Sequence, residues 1–262
     1  MSEPATLSAR NRVRDVVLPP LFILMIVLAG WEIAVKALDI QPWLLPAPSD
    51  IAARFVKTPT LWYHASLTVF EALAGFAISA VLGVALSAGI VHSRFLERGV
   101  FPYVIVSNAI PIIAVIPLLT IWFGFGMAPK VMICAIISFF PIVTNTTRGL
   151  KSADRRVIEF MRSINAPRTA ILLKVQLPSA LPFIFASFKI AASLALVGAV
   201  VAEFYSSDSG LGYLIITSAT QLRTDLLFVS IIVLAALGVG SFTLFGYLER
   251  KATRGERSEE LP

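Results

Sequence analysis

Apolar runs of roughly 20 residues recur along this chain, the length at which an α-helix crosses about 30 Å of hydrocarbon. No other feature limits the fold as strongly. At 57% hydrophobic and 15% charged residues, with mean hydropathy +0.82 over 262 positions, the chain is too poor in charge for a typical water-soluble domain. The short alternating segments of a membrane β-barrel are absent. The expectation is an all-α membrane protein with six spans, near residues 17–38, 67–91, 100–123, 128–146, 180–203 and 226–248. The first run is too long for a secretory signal and lacks a small-residue cleavage site after it. Pro19-Pro20 is read as the start of that helix. Gly124, Gly126 and Pro129 mark a tight turn between the third and fourth spans.

Basic residues set the orientation. Arg10, Arg12 and Arg14, then Arg94 and Arg98, fall on one side, as do the seven cations from Arg148 to Lys174 and the C-terminal Arg250, Lys251, Arg254 and Arg257. The opposite loops hold Arg54, Lys57, Lys130 and Arg223. Lys and Arg accumulate in cytoplasmic loops, so both termini and the 147–179 loop are expected in the cytoplasm. The net charge of +6 is therefore a membrane-topology signal rather than a nucleic-acid-binding one. One domain is expected: a tail at 1–16, a six-span body at 17–248 and a tail at 249–262. Trp43 and Trp62 are read as interfacial anchors in a proline-rich exterior segment, 39–66. Residues 204–225 read as a turn, a short surface helix and another turn.

Catalytic chemistry finds no foothold. His64 and His92 have no second histidine or cysteine at ligand spacing, no nucleophile elbow occurs, and no phosphate-cradling Gly-x-x-x-x-Gly-Lys-[Ser/Thr] loop is present. No catalytic, metal or cofactor residues are expected in this chain. The single cysteine, Cys134, reads as a small core residue. Charges in spans are costly and face a bundle interior or a cavity. Glu32 and Lys36, four apart, are expected to pair, and Glu71 is read as interfacial. Lys189 can snorkel to the cytoplasmic interface, join an interhelical pair or border a translocation path. Asn108, Asn145 and Ser193 are candidates for the same path, with interhelical hydrogen bonding as the alternative. Pro111, Pro117 and Pro141 are expected to bend the third and fourth helices, whether for rearrangement or as static kinks.

The 147–179 loop is the exception to this greasiness. Asp154 is placed to cap a helix, and Val157, Ile158, Met161 and Ile164 form an apolar stripe, opposite Arg155, Glu159, Arg162 and Ser163. Asn165 tolerates the left-handed conformation that ends a helix, and Pro167 suits the first turn of the next. A second short helix is expected over 168–176, closed by Leu177-Pro178. So short a helix is marginal alone. It needs either a groove on a partner or the membrane surface, where its arginines would face anionic lipid.

In this position the segment Glu159-Phe160-Met161, Asn165 and Val175-Gln176-Leu177-Pro178 resembles the EAA loop of binding-protein-dependent ABC transporter permeases. The pattern has alanines where Phe160 and Met161 stand, and glycine where Asn165 stands. Ile116-Pro117-Leu118, Trp122-Phe123-Gly124, Arg148-Gly149, Ala202-Glu203 and Gly210-Leu211-Gly212-Tyr213 are similar to the nitrate/sulfonate/taurine group. Together the likeness covers about residues 60–250. Gly198-Ala199-Val200-Val201 lies nearer the members that import thiamine-precursor pyrimidines and riboflavin.

The resemblance implies the type I importer permease fold and a homodimer in a prokaryotic inner membrane. Two separate ATP-binding subunits would lie below it, and an external solute-binding protein would deliver substrate. Val157, Ile158, Glu159, Phe160, Met161, Ile164, Asn165, Ala166 and Pro167 would form the coupling helix and elbow seated in the ATPase, which alone binds ATP. The rival is an ion-gradient-driven secondary transporter or channel, which calls for carboxylates at mid-membrane depth; these are scarce in the spans.

Overall fold

The computed structural model describes residues 9–253, with side chains described for residues 18–252 other than Ser206. The outer parts of both tails, with Arg254 and Arg257, lie outside the described residues. Every regular element among the described residues is helical. Five helices are long and apolar enough to cross a membrane, and a bent pair supplies a sixth candidate. The chain divides into two compact units.

The first unit comprises residues up to Pro59 together with Thr217–Val229. Its helix α1 runs Ala9–Ala37 straight through Pro19 and Pro20. The reading of that pair as a helix start is corrected: proline's fixed φ suits a helix, so the pair removes two donors without dictating an end. Glu32 and Lys36 pair at 2.5 Å as expected, and Glu32 also accepts from the Ser49 N–H (3.0 Å) and hydroxyl (2.7 Å) at the start of α2, Pro48–Lys57. Arg54 of α2 binds Asp225 at 2.7 Å.

The second unit comprises Thr60–Ile216 and the chain from Ser230. Its centre is α3 (Leu61–His92), α7 (Met127–Lys151) and α10 (Leu177–Ser206). Small residues bring α3 against α7: Gly75, Ser79, Gly83 and Ser87 recur every fourth position on one face. A Cβ on Gly75 would stand 2.3 Å from Cys134 Cβ and 2.7 Å from the Val131 carbonyl, so only glycine permits this approach. Serine hydroxyls then bond across the helix pairs: Ser79 to Ala135 O (2.5 Å), Ser87 to Val143 O (3.0 Å) and Ser138 to Ala191 O (3.1 Å). Close packing and interhelical hydrogen bonds hold helices together where lipid is as apolar as leucine. Cys134 is fully buried in this core.

Three further expectations change. The third span is no continuous helix: α4 (Arg94–Gly99) and α5 (Phe101–Ser107) turn by 102° into α6 (Ile112–Phe123). Pro111 stands extended (ψ 115°) at that bend, as the residue before α6, so the bend expected at this proline is present, whereas Pro117 and Pro141 lie within α6 and α7. Leu177-Pro178 does not close the loop's second helix. From Arg168 the chain is helical through α9 (Arg168–Ile171), a π-helical turn (Leu172–Gln176) and α10. In that wider turn Leu177 N–H reaches back to Leu172 O, relieving the clash a proline makes with the preceding turn. Lastly, α11 (Leu211–Thr220) is no surface helix, since Leu211, Gly212 and Leu214 are buried. The turn at Gly124 (φ +75°) and Gly126 (φ +122°) forms as expected.

Candidate functional site

Two places in the second unit carry concentrated polar chemistry. The first is the loop between α7 and α10. Its helix α8 spans Arg155–Ser163 and is capped by Asp154, whose carboxylate accepts from Arg156 N–H at 2.8 Å. Glu159 pairs with Arg155 at 2.7 Å on the polar face. At the far end Asn165 sits at φ +57°. Ala166 N–H donates to Met161 O (2.9 Å) and Asn165 N–H to Arg162 O (3.0 Å). These two bonds satisfy the last carbonyls in a Schellman closure. Pro167, extended at ψ 152°, then opens α9.

No residue of α8 is buried. Val157, Phe160 and Ile164 are 43%, 63% and 59% exposed, with Met161 half-buried among them. Burying an apolar side chain of this size yields roughly 1.5–3 kcal/mol, and this chain leaves that gain unrealised. Ile158, expected on the same stripe, turns instead toward a cleft on the other side of the helix. The loop is anchored at both roots. Leu150 and Ala153 are buried at the end of α7, and Gly149 packs on Phe183 and Ala180 of α10 so tightly that a Cβ would fall 2.7 Å from Phe183 Cβ. The chain is helical without a break from α9 into α10. Geometrically the arrangement is a short helix held at both ends with one apolar face open.

The second place is a buried cluster that reading the sequence did not foresee. Lys130 Nζ lies 2.5 Å from Glu71 Oε1, with the two side chains only 6% and 1% exposed, and also donates to Ser207 Oγ at 2.9 Å. Glu203, 1% exposed and close to Glu71, accepts from Thr68 Oγ1 (2.7 Å) and from Gly212 N–H (2.5 Å). Leu211 N–H donates to Thr68 Oγ1 at 2.8 Å, and Gly210 N–H to His64 Nδ1 at 2.9 Å. A carboxylate thus faces the N–H groups that open α11, where the helix dipole favours negative charge. Gly210, at φ +109°, makes room for it: a Cβ there would sit 2.1 Å from Glu203 Oε1. Glu71 is therefore buried within the helix bundle, and Lys130 lies in α7 rather than in a loop.

The residues proposed for a translocation path are not gathered into one site. Asn108 is exposed at the α5–α6 bend. Asn145 and Ser193 bond carbonyls of their own helices, Pro141 O at 2.9 Å and Lys189 O at 3.2 Å. Lys189 reaches Glu249 of α12 (Thr224–Thr253) at 2.5 Å and lies over the Phe242 ring, the interhelical pair among its three readings.

Comparison with known proteins agrees with this architecture. Residues 79–254 match the family model of the binding-protein-dependent transport system inner membrane component. The chain is similar to the riboflavin transport system permease protein RibX of Chloroflexus aurantiacus, with 36% identity over 90% of this chain and 89% of that one. It is also similar to the formylaminopyrimidine transport permease protein ThiX of Halalkalibacterium halodurans, with 35% identity over 88% of this chain and 92% of the relative. In fold it resembles the inward-facing MetNI methionine ABC transporter, with TM-score 0.63 and 20% identity over 75% of this chain and all of that one.

Proposed function

Because the chain belongs to the family of inner membrane components of binding-protein-dependent transport systems, we propose that α8 is the element through which this permease is driven. A separate ATP-binding subunit receives Val157, Phe160, Met161 and Ile164 in a groove. The observation that carries this is an apolar face left open on a helix closed at both ends and rooted in α7 and α10. Closure of a pair of ATPase subunits would push two such levers, one per permease, and turn the spans from inward- to outward-facing. Glu159, Asn165, Ala166 and Pro167 hold the helix and elbow in shape. ATP is bound and hydrolysed by the partner. This orientation puts α8 and both termini in the cytoplasm, in line with the distribution of Lys and Arg.

The substrate is read as an uncharged or weakly charged heteroaromatic solute of the riboflavin or aminopyrimidine kind, delivered by an external binding protein. Relatives named for those compounds reach 36% and 35% identity, against 29% for the aliphatic sulfonates permease of Bacillus subtilis and 26% for the taurine permease of Escherichia coli. Lys130 and Lys189, the lysines within helices of the second unit away from their cytoplasmic ends, are both committed to carboxylates, which disfavours a small anion. The test is reconstitution with the ATPase and binding protein in vesicles. ATP-dependent uptake of riboflavin or a formylaminopyrimidine, lost when the binding protein is omitted, is expected. Full uptake without that protein, or uptake of taurine alone, would refute the reading.

A further inference from the structure

Behind α8, on the side away from its open apolar face, lies a cleft of about 740 Å³ bordered by the end of α3, by α4 and by the turn into α10. Three arginines from three elements line it: Arg94, Arg162 and Arg168. Among the described residues none of the three has a carboxylate within ion-pair distance. The one acidic side chain on the rim, Glu97, is already paired with Lys151. His92, also on the rim, donates its Nδ1–H to Ala88 O at 2.9 Å. Three cations around one concavity repel each other until an anion stands among them.

The floor supplies a second, independent observation. Gln176 is 7% exposed and lines the cleft; its side-chain oxygen is sealed from solvent without a hydrogen-bond partner, which leaves the amide NH2 as the group that can face the cleft. A buried acceptor without a donor is uncommon and calls for an explanation. Gln176 is also the last residue of the π-helical turn, an irregularity that often marks functional sites. Arginine forks match phosphate oxygens two at a time, and an amide NH2 at the cleft floor can donate to a further phosphate oxygen.

We propose that this cleft is a binding site for a phosphate ester, with Arg94, Arg162 and Arg168 on the phosphate and the Gln176 amide NH2 as a further donor to it. Two sources share this chemistry: a glycerol-phosphate lipid headgroup reaching in from the adjacent leaflet, and a soluble sugar- or glycerol-phosphate. Either one would tie α8 to α4 and α9 and fix the angle of α8. The proposal rests on geometry within the second unit and does not require that α8 dock on an ATPase.

The test uses the full chain in nanodiscs of phosphatidylcholine with or without phosphatidylglycerol. Native mass spectrometry counts retained phosphatidylglycerol, and equilibrium dialysis follows glycerol 3-phosphate on the lipid-neutral discs. Charge-assisted hydrogen bonds are the strong ones, so Arg94→Ala/Arg162→Ala/Arg168→Ala should lose at least about tenfold of the occupancy. The charge-matched control Arg98→Ala/Arg155→Ala/Arg156→Ala should keep it. The Lys-for-Arg triple variant should fall between, retaining charge without the fork, and Gln176→Leu should lose a few-fold. Arginine-dependent retention of phosphatidylglycerol identifies the lipid source; arginine-dependent binding of glycerol 3-phosphate without that lipid preference identifies the soluble one. No binding of either, or equal loss in the control triple, would overturn the proposal.

Discussion

The buried cluster around Glu203 and the exposed helix α8 solve opposite problems with charge. In the cluster, charged groups leave water entirely and nearly every polar atom finds a partner inside the unit: an ammonium for Glu71, and a hydroxyl and a backbone N–H for Glu203. In α8, charges stay in solvent while Val157, Phe160 and Ile164 remain uncovered. Apart from Glu71 Oε2, which has no partner, the cluster is satisfied within one chain. Helix α8 is complete in its backbone, through its Asp154 cap and its Asn165 closure, yet incomplete on its surface. A region finished internally fixes structure, and one finished in everything except its apolar face waits for a partner.

That contrast can be broken by mutation. Removing one member of a buried ion pair leaves the other charge stranded, at about 3–5 kcal/mol. Lys130→Met should therefore lower the melting temperature of the detergent-solubilised chain more than any change in α8; a shift within error would show that Glu71 does not rely on Lys130. Gly212→Ala comes next, because its Cβ would meet the Val200 carbonyl at 2.6 Å and the Glu203 side chain. Overpacking of this kind costs about 1–3 kcal/mol, read by the same melt. Phe160→Glu should alter stability by no more than about 0.5 kcal/mol, as for exposed positions, yet abolish copurification of the ATPase and transport. Unchanged copurification would erase the distinction between the two regions. Asn165→Gly should be the mildest, neutral or stabilising by a few tenths of a kcal/mol, since glycine accepts φ +57° freely. Marked loss of assembly in that variant would mean the Asn165 side chain has a role beyond conformation.

How far the sequence revealed these two regions differs for a physical reason. The features of α8 are local: a capping Asp154, a 3.6-residue apolar period and an Asn165–Pro167 elbow all lie within 14 residues of one another, and they formed as expected except that Ile158 leaves the apolar stripe for the cleft. The Glu71–Lys130 contact links residues 59 apart, and Thr68–Glu203 links residues 135 apart. Such pairings depend on how α3, α7 and α10 pack, which no local pattern states. One clue was nonetheless on view: Gly75, Ser79, Gly83 and Ser87, at four-residue spacing, mark the face of α3 that meets α7, and Glu71 and Thr68 extend that face. Prolines misled where their effect depends on surroundings. Pro19 and Pro20 were absorbed by a helix and Pro178 by a π-helical turn, whereas Pro111 does stand at the 102° bend.

The most direct measurement of the central claim is site-specific cross-linking. Cys134 is the only cysteine in the sequence and is fully buried, so single cysteines introduced on α8 report alone. Cysteine at Val157, Phe160 or Ile164, fitted with a short photoactivated cross-linker in the assembled transporter, should capture the ATP-binding subunit. Cysteine at Arg155 or Glu159, on the polar face, should capture little. Equal capture from both faces, or none from the apolar one, would contradict the assignment of α8 as the lever through which ATP drives this permease.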